Sequence, residues 1–438
     1  MRKFTILLAM VAFATFAFGQ KGFMPAKTSF SKAEPTVANK KQQVKEDIKS
    51  SRNVIWYEDF NGATWSGTSV QGEPAPQNAP EGWELVDFNE RGWHFRWDTV
   101  GPSGMYTSPE GSAACNEPND PLYSTTGHNG FMMLELDDFN TSADCSSFAG
   151  LTQNAALVYN GGLDFTDHQA VHLVFEQTHR FCCAPTDDIY FEVSTDQGNE
   201  WNGFSVKEAP NNYTPGNAFV GEYNISTLVG GESDVWFRFH LEGYIVYHWE
   251  IDDVRFVEPI DNDMRIEDYW NDYIVDFEPS VDIEDDNDFY GGFYSYPWFV
   301  VQDFESFSVA LQNYGGVTQN NIVHNVEVKR NGAIIESYNT SVASAAPGIR
   351  DTTELDITDS LMLPGKGVYE FVHYSTTDEG DENDDNNWVS REMAITDSTL
   401  SPVDMTTVTG AAAPTDWDGV NDGAGLAFEV EIPDPSLH

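Results

Sequence analysis

The sequence predicts an all-β chain built from β-sandwiches, and three observations carry that reading. From residue 53 onward apolar side chains recur with a period of two, no stretch shows the longer period of an amphipathic helix, and short strand patterns alternate with long loops rich in Gly, Asn, Pro and Asp. With 438 residues, 13% of them aromatic, the chain can bury more than one core. No internal repeat of fixed period is present, which argues against solenoids and propellers.

The N-terminus reads as an export address. Met1-Arg2-Lys3 is a basic start, Phe4 to Phe18 is an apolar run, and Ala17-Phe18-Gly19 offers small residues for cleavage. Residues 1–19 are therefore expected to be a secretory signal peptide, too short for a spanning helix with stop-transfer flanks. No Cys follows the run to suggest a lipid anchor, and no later stretch is long and apolar enough to span a membrane. The protein is expected to be secreted, extracellular or on the cell surface. Residues 20–52, with Lys27, Lys32, Lys40, Lys41, Lys45 and Lys49 among small polar residues, read as a basic disordered leader.

Charge divides the chain into two materials. Residues 1–52 carry ten Lys/Arg against three acids, a charge of +7, whereas the whole chain stands at −49. The remainder is thus at −56, which repels phosphate backbones and excludes nucleic acid as a partner. The same field attracts divalent cations and basic partners.

Strand patterns then follow in order. Val54–Tyr57, Gly92–Trp97, Val171–Phe175 and Val235–His240 alternate large apolar residues, as a sheet with one buried face requires. Asp188–Ser194, the turn Thr195-Asp196-Gln197-Gly198 and then Trp201 read as a hairpin. The spacing favours a jelly-roll sandwich over 53–258, closing on Trp249–Phe256. A second unit over 260–397 has strands at Phe307–Leu311, Val326–Lys329 and Tyr369–Val372, with an Asn331-Gly332 hairpin signal, and reads as an Ig-like sandwich. Residues 398–438 hold one good strand, Gly423–Ile432, and are expected to be an incomplete third β unit.

Export permits disulfides among Cys115, Cys145, Cys182 and Cys183. Four cysteines allow three connectivities, and the sequence does not choose among them. A bridge between adjacent residues is strained, so pairing of Cys182 and Cys183 with Cys115 and Cys145 is the better expectation.

The ordered set Trp56–Gly62, Pro80–Trp83, Glu192–Gly198 with Trp201, and Trp249–Val254 resembles the cleaved-adhesin and MAM-like jelly-roll modules of bacterial surface proteins, including the adhesin parts of gingipains. Asn313-Tyr314-Gly315, Leu363-Pro364-Gly365 and Asn386-Asn387 make 260–397 similar to a CARDB-type adhesion domain. Such proteins are commonly exported by type IX secretion with a C-terminal sorting domain, which is not seen here. The first resemblance implies a structural calcium where the first strand, with its E-x-F, meets the last, with its I-D-D-V. Here those positions are Glu58 and Asp252, with Asp253 adjacent. Hard Ca²⁺ takes six to eight oxygens, and carboxylates from distant strands suit it. Asp187-Asp188 and Asp285–Asp288 are lesser candidates that read as solvated turns.

For a sugar platform the candidates are Trp65, Tyr106 and Tyr123, aromatic residues in loop-like context. Trp93, Phe95 and Trp97 alternate and read as core. No H-E-x-x-H, G-x-S-x-G, Walker or dinucleotide motif occurs. The expected function is therefore non-catalytic attachment to glycans or to host or other extracellular proteins, with calcium as a structural ion. The alternative is the accessory binding region of a secreted hydrolase, a protease or glycosidase, whose catalytic domain lies outside this chain.

Overall fold

The computed structural model describes residues 52–66, 79–107, 118–142, 149–182, 188–243, 246–275, 295–298, 301–356, 361 and 363–397. The expected signal peptide, nearly all of the leader, the third β unit, Cys115, Cys145, Cys183, Asp187 and Asp285–Asp288 lie outside the described residues. Within them the chain is all-β, as the period of two requires.

Among the described residues the first sandwich has eleven strands: β1 (Val54–Glu58), β2 (Trp83–Asp87), β3 (Arg96–Asp98), β4 (Phe131–Glu135), β5 (Gln153–Leu163), β6 (His172–Phe181), β7 (Asp188–Ser194), β8 (Asn202–Ser205), β9 (Phe219–Asn224), β10 (Val235–Gly243) and β11 (Val246–Val257). A front sheet runs β3-β4-β11-β6-β9, with β1 pairing β11 beside β4 and β6. A back sheet runs β2-β5-β10-β7-β8. Alternation places Val235, Phe237, Phe239 and Leu241 of β10 in one core with Leu173 and Phe175 of β6 and Trp249, Ile251 and Phe256 of β11. Gln197 and Gly198 take positive φ in the β7–β8 turn, the conformation the hairpin reading asked of Gly198.

The Gly92–Trp97 strand reading is corrected: only Arg96–Asp98 is strand. Phe95 still reaches the main core and Trp97 packs against it. Trp93 is also buried, but stacks on Phe139 at 4.8 Å.

The second sandwich comprises β12 (Met264–Val275), β13 (Ser295–Pro297), β14 (Val301–Asn313), β15 (Gln319–Arg330), β16 (Ala333–Ala345), β17 (Arg350–Asp356), β18 (Gly367–Thr376) and β19 (Trp388–Thr396). A three-stranded sheet, β12-β14-β17, faces a five-stranded one, β13-β19-β18-β15-β16. Asn331 and Gly332, both at positive φ, form the β15–β16 turn. The acidic loop after β18 is spent on backbone donors: Asp381 accepts from Met264 N at 2.9 Å and Glu382 from Asn262 N at 3.1 Å.

One ring bridges the two sandwiches. The Tyr314 hydroxyl donates to the Glu222 carbonyl at 2.8 Å, and its ring stands edge-on to His172 at 4.4 Å. Arg265 lies 5.1 Å from the same ring, and Asn224 donates to the Asn313 carbonyl at 3.3 Å. Burial would raise the Glu222 carboxyl, but His172 and Arg52 bond to it and hold it down at about 2. Residues 53–258 and 260–397 expressed separately are expected to unfold cooperatively, each less stably than in the intact chain because Tyr314 and His172 lose one another. Calorimetry checks this, and the absence of a cooperative transition in either piece would refute the boundary.

Candidate functional site

A bulge in β11 builds the site. Ile251 and Val254 both lie in the core although they are three residues apart, and Asp253 takes φ 54° between them. The register against β6 shifts between Asp252 and Arg255. An inserted residue of this kind breaks alternation and turns two neighbouring side chains to one face. Asp252 and Asp253 are thereby both presented on the outer face of the front sheet, and Asp252 stands opposite Glu176 of β6.

The segment Ser124–Thr126 closes over these three carboxylates. The Ser124 hydroxyl donates to Asp252 Oδ2, and Thr126 Oγ1 does so at 3.3 Å. Thr126 N donates to Asp253 Oδ2 at 2.9 Å, and Thr125 donates to Glu176 through its N at 3.0 Å and its Oγ1 at 2.5 Å. From the other side Tyr57 donates to Asp253 Oδ1 at 2.6 Å, where Arg255 also pairs at 3.1 Å. Asp252, Asp253 and Glu176 are all buried, with one guanidinium among three carboxylates. Burial, then the Asp253 charge, with Glu176 adding to both, pushes the Asp252 carboxyl up to about 8. Its Oδ1 is buried with no hydrogen-bond partner among the described residues.

His248 and Glu250 continue the Asp252 row along β11. Both are fully buried, their closest approach is 3.6 Å between Nδ1 and Oε1, and among the described residues neither finds another side-chain partner. Burial pushes the His248 imidazole down to about 3 and holds the Glu250 carboxyl well above the usual carboxylate range. Glu135 beside them is satisfied by Arg96 at 2.7 Å and by Ser103 N at 2.7 Å.

The structure does not bring Glu58 to Asp252, which corrects the expected metal pair. Glu58 is in register with Val254, on the inward side of the bulge, and its carboxylate accepts from Phe60 N at 2.7 Å. The first and last strands do pair, but the bulge sends their acids to opposite faces. Among the described residues no group of three His, Cys, Asp or Glu side chains stands ready-formed to hold a metal ion. Asp188 is spent on its hairpin, accepting from Ile189 N at 2.7 Å and Ser205 Oγ at 2.6 Å.

The sugar-platform candidates divide. Trp65 is 0% exposed and meets Phe60 and Trp83 edge-on at 5.3 and 5.4 Å, so it is core and cannot be a platform. Its sequence neighbourhood looked like a loop, yet Gly62–Trp65 forms a helical turn that tucks the indole inward. Tyr106 is half-buried and stacks on Tyr247 at 4.8 Å, with Arg180 5.8 Å from its ring, so it too is engaged within the fold. Tyr123 alone is open, at 58% exposure. Cys182 interacts with the Tyr247 hydroxyl, and the other three cysteines lie outside the described residues. Sequence reasoning missed Glu176 and Ser124–Thr126, which no motif links to Asp252.

No protein-family model matches the chain, and no curated protein matches it. Among solved structures, the K1 cleaved adhesin domain of Lys-gingipain from Porphyromonas gingivalis is 12% identical with a TM-score of 0.26, over 46% of this chain and 96% of that one. A CARDB domain from Pyrococcus furiosus, in complex with di-metal ions, is 14% identical with a TM-score of 0.20, over 32% of this chain and 92% of that one. A beta-glucuronidase 2 from Bacteroides uniformis, described as a calcium binding mutant with two Asp-to-Ala changes, is 7% identical with a TM-score of 0.26, over 72% of this chain. The chain spans about a third, 33%, of that enzyme's length. At such scores, function rests on the chain's own residues.

Proposed function

We propose that the chain is an exported, non-catalytic binding protein that attaches to glycans or extracellular proteins through its β-sandwiches, with Ca²⁺ tying its outer loop to the first of them. The observation that carries the calcium is the Asp252 Oδ1 atom, buried without a partner beside two further carboxylates. A buried carboxyl oxygen without a partner is costly, and a hard cation supplies the missing interaction. Asp252 would hold the ion through Oδ1. Asp253 and Glu176, whose oxygens are taken by Tyr57, Arg255, Thr125 and Thr126, stand beside it and would have to turn from those bonds to join it. The ion would supply positive charge to a cluster that otherwise keeps Asp252 protonated, and would fix Ser124–Thr126 against β11. The surrounding body, at −56, concentrates divalent cations.

Thermal melts of the full chain with Ca²⁺ and with EDTA test this. Ca²⁺ at a hundredfold excess over its dissociation constant contributes about 2.7 kcal/mol, a rise of a few degrees in Tm. Asp252→Asn is expected to abolish the rise, and Glu58→Gln to leave it unchanged. Identical melts after verified metal removal would mean that Asp252 holds a proton instead, and the calcium reading would fall.

A further inference from the structure

The back sheet's inner face is consumed by the core: Phe191 of β7 and Phe237 and Phe239 of β10 are fully buried there. Alternation then turns Trp236, Arg238 and His240 of β10 and Glu192 of β7 to the outer face. Large aromatic residues on a solvent-side face add nothing to that core. Trp201, from the β7–β8 hairpin, and Phe88, from the turn after β2, close over the same place. Arg238 sits between them, its guanidinium 4.3 Å from the Trp201 ring and 5.9 Å from the Phe88 ring.

This guanidinium is held in advance. Its Nε donates to Glu192 Oε2 at 2.5 Å, the same oxygen lies 2.9 Å from His240 Nδ1, and His240 Nε2 lies 2.9 Å from Asn154 Oδ1. Among the described residues neither Nη group of Arg238 donates a hydrogen bond and none is donated to Glu192 Oε1, and the two side chains keep 14% and 17% of their surface exposed. A donor fork and a free acceptor therefore stand side by side, flanked by Trp201, half-buried, and Phe88, 49% exposed. Gly203 of β8 is in register with Glu192, and a Cβ there would lie 2.0 Å from the Phe191 carbonyl oxygen, so this position brings no side chain over Glu192.

From this arrangement we infer that the outer face of the back sheet binds a neutral pyranose polysaccharide, with Trp201 and Phe88 taking the apolar ring faces and Arg238 and Glu192 a vicinal pair of hydroxyls. The inference deepens the binding function proposed above by naming its surface and ligand class. A sugar ring offers what this surface lacks: a flat C–H face for the aromatic rings, an acceptor for the fork and a donor for the carboxylate. Charge selects neutrality. The Arg238–Glu192 pair is already balanced, and a body at −56 repels uronates and sulfated chains. Arg238 is fixed before binding, so little side-chain entropy is lost on contact.

Affinity electrophoresis of the full chain through hydroxyethylcellulose, galactomannan, arabinoxylan and alginate provides the test. At least one of the three neutral polymers is expected to retard the protein equally at low and high salt. Trp201→Ala and, separately, Arg238→Gln should each weaken that retardation about tenfold. Both variants must keep the wild-type melting temperature, and Arg238→Gln stands as the reporter if loss of the indole loosens the hairpin. Retardation by alginate alone, lost at high salt, would identify an anion site and overturn the inference. So would retardation that neither substitution alters, which would place the glycan elsewhere and leave the binding reading intact. If no polymer retards the protein the inference also falls, and a solid-phase assay with fibronectin and collagen then decides separately whether the protein-binding half of the proposed function stands.

Discussion

Lowering the pH through 6.5, the ordinary histidine value, is expected to strip several kcal/mol from the second sandwich. Its core holds a chain of neutral hydrogen bonds: His373 Nε2 lies 2.8 Å from Asn271 Oδ1, His324 Nε2 lies 3.1 Å from His373 Nδ1, and Thr353 Oγ1 lies 3.3 Å from His324 Nδ1. Asn271 Oδ1 can only accept, so His373 carries its proton on Nε2 and accepts on Nδ1. His324 then donates from Nε2 and accepts from Thr353 on Nδ1. Each neutral ring fits this order; an extra proton on His373 Nδ1 breaks its bond with His324, and one on His324 Nδ1 makes Thr353 Oγ1 the acceptor and puts a charge into the buried pair. The rings stack at 5.3 Å, with Tyr269 of β12 and Phe307 of β14 against His373, and among the described residues no carboxylate bonds to either ring to take up a charge. Burial pushes His324 down to about 4, and burial together with the His324 charge pushes His373 down to about 3.

The sign follows from linkage. Between these values and 6.5 the unfolded chain binds more protons than the folded one, so stability is fully present above 6.5 and is lost as pH falls toward 4. Each unit of pKa depression is worth about 1.4 kcal/mol. Amide exchange along β15 and β18 across that range reads the loss within this sandwich. A double replacement, His324→Gln with His373→Gln, should flatten the pH dependence there, and an unchanged slope would assign it to other groups.

How much of this was legible varies with the element. Alternation in Val235–His240 and Asp188–Ser194 gave both the strands and their buried faces, because neither strand is interrupted. The pairing of the Glu58 strand with the Ile251–Val254 strand came from the resemblance to cleaved-adhesin modules, not from alternation, which the bulge in β11 interrupts. The site was not. Alternation assigns faces only while one residue follows one residue, and the positive φ of Asp253 reverses the assignment for everything before it. The I-D-D-V resemblance singles out Asp252 and Asp253, but alternation alone reads them like any other exposed acids. Glu176 and Ser124–Thr126 reach them only through sheet pairing and loop closure, and nothing local marks them. Trp65 shows the same limit from the other side: its neighbours have loop chemistry, and tertiary packing alone buries it.

Phe237→Ala is expected to cost roughly 3–5 kcal/mol, the range for emptying a fully buried aromatic site. Six rings surround Phe237: Trp56 at 5.4 Å, Trp83 at 5.6 Å, Tyr159 at 5.2 Å, Phe191 at 5.9 Å, Phe239 at 6.2 Å and Phe256 at 5.1 Å. These come from both sheets and from β1, so no one element can move in to fill the space. The comparison is Phe88→Ala, an exposed ring whose loss should stay within about 0.5 kcal/mol. Urea unfolding followed by Trp fluorescence separates the two, with the midpoint shifting at constant slope if only the native state is weakened. The larger loss should also reach the carboxylate cluster. Trp56 and Phe256 are in register across β1 and β11, next to Tyr57 and Arg255, whose side chains hold Asp253. Loosening Phe237 releases that pairing from below, so the same variant should show a weaker Ca²⁺ stabilisation than wild type. If Phe237→Ala proves as mild as Phe88→Ala, the aromatic lattice is not what fixes β1 to β11, and the link between core and site fails with it.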